Sequence, residues 1–164
     1  MEYKKTILWI LSFAVMVCIF CLSSQPAPES NELSKGVAES IIDKTPHIKD
    51  LPPAEKQSLA IDLNRKIRNY AHFFLFFILG TALALSISFS YGGKLHDKYV
   101  IALIISIIYA ISDEIHQIFV PGRSFQFTDI LTDSAGSLLG IAIIGFILKR
   151  NVFAKLVKIT DKKS

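Results

Sequence analysis

Four long apolar runs, each nearly free of charge, limit what this chain can fold into. They are Thr6 to Leu22, Tyr70 to Phe89, Tyr99 to Val120 and Ile130 to Leu148. Each is roughly 17 to 22 residues, the length that crosses a bilayer's hydrocarbon core as a helix. In that medium the backbone must satisfy its own hydrogen bonds, which an α-helix does within one segment. The chain has 164 residues, is 51% hydrophobic and has a mean hydropathy of +0.44. Too little polar sequence remains to cover four such runs as the core helices of a water-soluble domain. The expectation is an all-α, four-helix membrane bundle, a single domain over residues 1–164, with spans at about 6–22, 70–89, 99–120 and 130–148.

The first run is read as a retained anchor. It is long for the apolar core of a signal peptide, and Pro26 and Pro28 interrupt the region where a cleavage site would lie. Cys18 and Cys21 both fall inside it, where no oxidising aqueous setting favours a disulfide, so they read as small hydrophobes. Lysines and arginines near short loops set orientation. Lys4 and Lys5 precede span one, Lys94 and Lys98 lie between spans two and three, and Lys149 and Arg150 follow span four. The turn between spans three and four holds only Arg123. Both termini are therefore expected on the cytoplasmic side and that turn outside. Arg65, Lys66 and Arg68 dissent, standing just before span two on the outer side.

The loop of residues 23–69 carries helical patterning. Leu33, Val37 and Ile41 recur at helical spacing, Pro46, Pro52 and Pro53 interrupt, and Leu59, Leu63 and Ile67 form a second apolar stripe. Pro53 suits the first turn of that second helix, which is expected to lie along the membrane surface and run into span two. The tail alternates Lys155, Lys158 and Lys162 with Phe153, Leu156 and Ile159, the pattern of an interfacial anchor.

The chemistry concentrates in residues 110–133. Asp113, His116 and Gln117 share a helical face in span three, with Glu114 a quarter-turn away. An acid within a span is costly, about 2.5 to 3.5 kcal/mol at mid-membrane, and such groups are expected to face the bundle interior. Pro121 and Gly122 stop the helix, and Arg123 sits in the turn. Thr128 is the candidate N-cap of span four, with Asp129 in its first turn and Asp133 one turn deeper. Gly136 and Gly140 continue the Asp133 face as a G-x-x-x-G pair that lets a helix approach closely; span three is the expected neighbour. On span two, Arg68, His72 and Phe76 share a face. The functional cluster expected from these residues is Asp113, Glu114, Gln117, Arg123, Asp129, Asp133, Arg68 and His72. In it the arginines either pair with the carboxylates or bind an anionic headgroup. A buried ion-pair network that only sets helix register is the competing structural reading. No ligand spacing singles out a metal, and neither a metal nor a cofactor is expected.

These residues resemble the VanZ-like family of bacterial membrane proteins. The similarity lies in D-E-x-x-Q (Asp113, Glu114, Gln117), then G-R (Gly122, Arg123), then Asp129, Asp133, Gly136 and Gly140. Span two is similar to the family's R-K-x-x-H-F and L-G segments through Arg68, His72, Phe73, Leu79 and Gly80, with Asn69 in place of Lys and Leu75 in place of a frequent acid. The stretch FCLSSQP, residues 20–26, resembles the family's S-S-Q sequence. The resemblance implies a multi-pass protein of the bacterial plasma membrane, in a family whose named member is linked to teicoplanin resistance.

Three functions compete. One is a modulator of glycopeptide sensitivity whose outward-facing charged pocket binds an envelope lipid or precursor. Another is a membrane enzyme acting on a lipid-linked headgroup, with carboxylates and a histidine as acid, base or cation holder. The last is a small transporter or flippase component, dimerising through Gly136 and Gly140. The expected partners are membrane lipids or a lipid-linked cell-wall precursor, with a homodimer open and no nucleic acid.

Overall fold

The computed structural model describes residues 2–26 and 51–161, with isolated positions 40, 45 and 48 between them. The segment holding Leu33, Val37 and Ile41 lies outside the described residues. Four helices follow in order: α1 (Glu2–Ser23), α2 (Pro53–Ser90), α3 (Leu95–Gln117) and α4 (Phe127–Asp161). All four are long and apolar enough to cross a membrane. The chain is a multi-pass membrane protein.

The helices run up, down, up and down. Near one end, Trp9 of α1 donates from Nε1 to Ser90 Oγ of α2 at 2.9 Å, and the hydroxyls of Ser12 and Ser86 meet at 3.0 Å. Toward the other end, Tyr109 of α3 donates to the Met16 carbonyl at 2.6 Å. The core is apolar and small-residue rich: Ile19, Phe76, Leu79, Leu83, Ala84, Ala102, Ala110 and Ile141 are buried. Tyr3, Ile7, Phe13, Phe20, Ile104, Ile108, Leu138 and Phe146 face outward. This inside-out distribution is what lipid surroundings permit. Cys18 and Cys21 are free and exposed on the same outer surface.

Pro53 opens α2 at its first turn, where its missing N–H costs nothing. The stripe of Leu59, Leu63 and Ile67 and the span belong to one unbroken helix of 38 residues. At 1.5 Å per residue that is about 57 Å, nearly twice the hydrocarbon thickness. The segment expected along the surface is thus a direct extension of span two. Likewise α4 carries the tail on to Asp161 without a break.

α3 ends at Gln117 rather than Val120. Pro121 disfavours helical geometry in the residue before it, and the chain tightens into three-residue bonds from Phe119 N–H to His116 O and Val120 N–H to Gln117 O. Gly122 then adopts φ 76°, a conformation a side chain rarely tolerates. Asp113 consequently lies about 6 Å from the helix end, closer than the roughly 10 Å expected for a helix reaching Val120.

α2 and α4 form the closest seam. A side chain on Gly136 would strike the Phe73 carbonyl, one on Gly140 the Phe77 carbonyl, and one on Gly80 the Ser137 carbonyl. Ser137 Oγ donates across the seam to the Phe76 carbonyl at 3.0 Å. The glycine pair therefore serves α2, not span three. Helical spacing places Gly136 and Gly140 on one face but does not say which helix that face meets. That face is already occupied within the chain, so it is not free to join two copies.

Candidate functional site

The site forms where the C-terminal ends of α1 and α3 meet the N-terminal end of α4 and the middle of α2. Asp113 and Asp133 are 3% and 1% exposed. Between them stands His72, whose Nδ1 is 4.0 Å from Asp113 Oδ2 and 3.8 Å from Asp133 Oδ2. A nitrogen of His72 and one oxygen from each carboxylate all lie within 4.8 Å of one another. At about that distance two carboxylate charges repel by roughly 3 to 4 kcal/mol at an effective dielectric near 20. A cation among them would offset this, and the side chain standing there is the imidazole of His72.

Asp113 is held firmly. Its Oδ2 accepts from Ser23 Oγ at 2.8 Å and from Gln117 Nε2 at 3.1 Å. Gln117 in turn accepts from Arg123 Nη1 at 3.4 Å through Oε1. Arg123 also donates to the carbonyls of Gln25 (3.1 Å) and Leu22 (3.4 Å), at the end of α1. α1 has no basic residue in its own last turn, so the turn between α3 and α4 supplies the cation its negative end favours. A continuous relay thus runs from Arg123 through Gln117 and Asp113 to Ser23.

The S-S-Q stretch is a wall of this site. Ser23 holds Asp113, Ser24 Oγ lies 3.0 Å from His116 Nε2, and Gln25 holds Arg123 through its carbonyl. Sequence reasoning noticed these residues only as a similarity; two adjacent hydroxyls at the end of a span were the available signal. His116 leaves the Asp113 and Gln117 face and stacks toward α1, its ring 4.5 Å from that of Phe20.

Glu114 is 1% exposed and points elsewhere. It accepts from the Gln126 N–H at 2.9 Å, bracing the turn into α4. Asp129 accepts from Asn69 Nδ2 at 3.2 Å, so the residue standing in place of the family's Lys still reaches the acid. Thr128 falls inside the first turn of α4 rather than at its N-cap, because the helix begins at Phe127; its hydroxyl lies 3.4 Å from Asp129 Oδ1.

Arg68, Asn69, His72, Gln117, Arg123, Asp129, Thr132 and Asp133 line a narrow pocket whose free centre admits a single water-sized body. It adjoins a larger cleft of about 180 Å³ lined by Ile61, Arg65, Arg68, Gln117, Gly122, Arg123, Ser124 and Gln126. Arg68, Gln117 and Arg123 border both. Among the described residues, none of Arg65, Arg68 and Arg123 forms an ion pair with a carboxylate. Pairing with the buried acids, one of the two uses expected for the arginines, is not made; the basic side chain nearest both acids is His72. Burial, and then the nearby Arg68, lowers the Arg123 pKa from its ordinary range, while Asp113, Glu114 and Asp129 act in the opposite direction.

The arrangement is thus an acidic inner chamber behind an arginine-lined vestibule. The VanZ/LLP1 family model matches residues 8–149, which include every residue named in the site. The chain belongs to the VanZ-like family. No curated protein and no solved structure matches it. In this VanZ-like protein the matched segment begins within α1, so the S-S-Q wall and the α3–α4 motif fall inside one family unit.

Proposed function

We propose that this VanZ-like protein binds the anionic headgroup of an envelope lipid, or of a lipid-linked cell-wall precursor, in the arginine vestibule. Through that occupancy it modulates sensitivity to glycopeptide antibiotics such as teicoplanin. The vestibule faces outward in the bacterial plasma membrane, with both termini cytoplasmic. The observation that carries this reading is the set of three arginines around one cleft, none of which forms an ion pair with a carboxylate among the described residues. A guanidinium presents fixed donors suited to phosphate oxygens and is weakly hydrated enough to work near lipid. Arg123 is held in place by the α1 carbonyls, so its orientation costs little when a headgroup arrives. Ile61 of α2 lines the cleft and is exposed, which offers apolar surface beside it for an acyl or prenyl chain.

The test is the lipid that accompanies the protein. The native chain, purified in mild detergent, is expected to carry anionic lipid or polyprenyl phosphate above its bulk membrane fraction. Arg68→Ala, at a side chain with no hydrogen bond among the described residues, is expected to reduce that enrichment at least fivefold. Equal lipid profiles for native and variant protein, or teicoplanin binding to cells unchanged by deletion of the protein, would count against the reading.

A second reading, an enzyme acting on such a headgroup, is favoured by the inner chamber, where a histidine and two carboxylates stand beside the vestibule. Turnover of a labelled lipid precursor by the purified protein would favour it over simple binding.

A further inference from the structure

The geometry points to a divalent-cation site at His72, Asp113 and Asp133, of the Mn²⁺ or Zn²⁺ type. The three residues come from three different helices, 41 and 20 positions apart in sequence, so no local metal-ligand spacing announces them. The fold brings their ligand atoms to separations of 3.8 and 4.0 Å from His72 Nδ1, all within 4.8 Å. An ion equidistant from three atoms about 4 Å apart lies roughly 2.2 to 2.5 Å from each, so a closure of a few tenths of an ångström brings all three to the roughly 2.0 to 2.2 Å of a metal–nitrogen or metal–carboxylate bond. One imidazole with two carboxylates is a donor set that suits Zn²⁺ and Mn²⁺ better than Ca²⁺, which takes oxygen ligands alone.

A second observation points the same way. Asp113 Oδ1 and Asp133 Oδ1 are fully buried and accept no hydrogen bond among the described residues. Such an oxygen is costly unless something satisfies it. Both carboxylates belong to the cluster: each brings Oδ2 within 4.0 Å of His72 Nδ1 and leaves Oδ1 unpartnered, so a cation bound through both oxygens of a carboxylate would satisfy it. The outer shell is also built. Ser23 and Gln117 donate to Asp113 Oδ2, the oxygen nearest His72, and so fix the carboxylate's orientation, as groups behind a metal ligand do. The narrow pocket reaching Asp133 and His72 gives entry and room for one water-sized ligand. This assignment does not depend on what binds the arginine vestibule.

The experiment uses the full chain in neutral detergent, stripped with chelator and dialysed, with no anionic lipid added. Calorimetric titration with MnCl₂ and separately with ZnCl₂ is followed by elemental analysis of the protein peak. Saturation near one ion per chain with either metal is expected. His72→Ala and Asp133→Asn should each weaken uptake at least tenfold, and Ser23→Ala roughly 10- to 100-fold, as loss of an outer-shell partner does. Ser23→Ala removes only a hydroxyl, so it carries the test if a ligand variant fails to fold. His96→Ala, at an exposed histidine at the opposite end of the bundle, should leave uptake unchanged. No stoichiometric uptake of either metal by folded native protein would overturn the assignment. So would uptake that survives both Ser23→Ala and Asp133→Asn, because the ion would then lie elsewhere. Lipid enrichment in the vestibule with no metal uptake would leave the headgroup reading standing and remove this one.

Discussion

Gly136→Ala tests the seam that brings the site together. The added methyl would overlap the Phe73 carbonyl oxygen, with the carbonyl carbon at 3.2 Å and the Phe73 ring at 3.3 Å. The oxygen is backbone and cannot rotate away, so α2 and α4 must part by about 1 Å. Overpacking of this kind costs about 1 to 3 kcal/mol. Separation also stretches the Ser137 to Phe76 hydrogen bond, now 3.0 Å, beyond useful length, at about 1 kcal/mol. Alanine recovers about 1 kcal/mol of helix propensity. The net expectation is a loss of about 2 kcal/mol, roughly 30-fold in the unfolding equilibrium. The assay is SDS titration in mixed micelles, followed by helical circular dichroism and by fluorescence of Trp9. Trp9 is the only tryptophan, and its bond to Ser90 reports α1 docking on α2. Gly92→Ala is the control, since a side chain there meets nothing within 4 Å. The same displacement acts beside the chamber, because Phe73 follows His72 and Gly136 lies one turn beyond Asp133. Metal uptake should therefore weaken along with stability. If Gly136→Ala unfolds at the same SDS fraction as the native protein, or a higher one, the close-seam argument is wrong.

Three further outcomes are expected. Glu114→Gln keeps an acceptor for the Gln126 N–H and should stay within about 0.5 kcal/mol of native, whereas Glu114→Ala leaves that N–H unsatisfied and should cost about 1 to 3 kcal/mol in the same SDS titration. Arg123→Ala should cost about 1.5 to 3 kcal/mol by freeing the end of α1, while Arg68→Ala should leave stability nearly unchanged; equal effects would mean that Arg123 is not the clasp described. With Cys18 and Cys21 replaced by Ser, a cysteine at Ser124 should react with an impermeant maleimide on intact cells, and one at Gly92 only after permeabilisation. The opposite pattern would reverse the proposed orientation.

Sequence alone determined the number of spans and their approximate positions, because bilayer thickness converts directly into a count of apolar residues. It also marked Asp113 and Asp133 as buried and consequential, because an acid within an apolar run is costly wherever that run packs. It did not determine partners. Periodicity says which residues share a face of one helix, and nothing about which helix that face meets. So Gly136 and Gly140 were legible as a packing face, but that it meets α2 was not. The contact of His72 with two acids, the clasp of Arg123 on the end of α1 and the purpose of Ser23 each join residues dozens of positions apart. Those depend on the order in which the helices pack and on the tilt of the α3–α4 turn, which the whole set of contacts decides together.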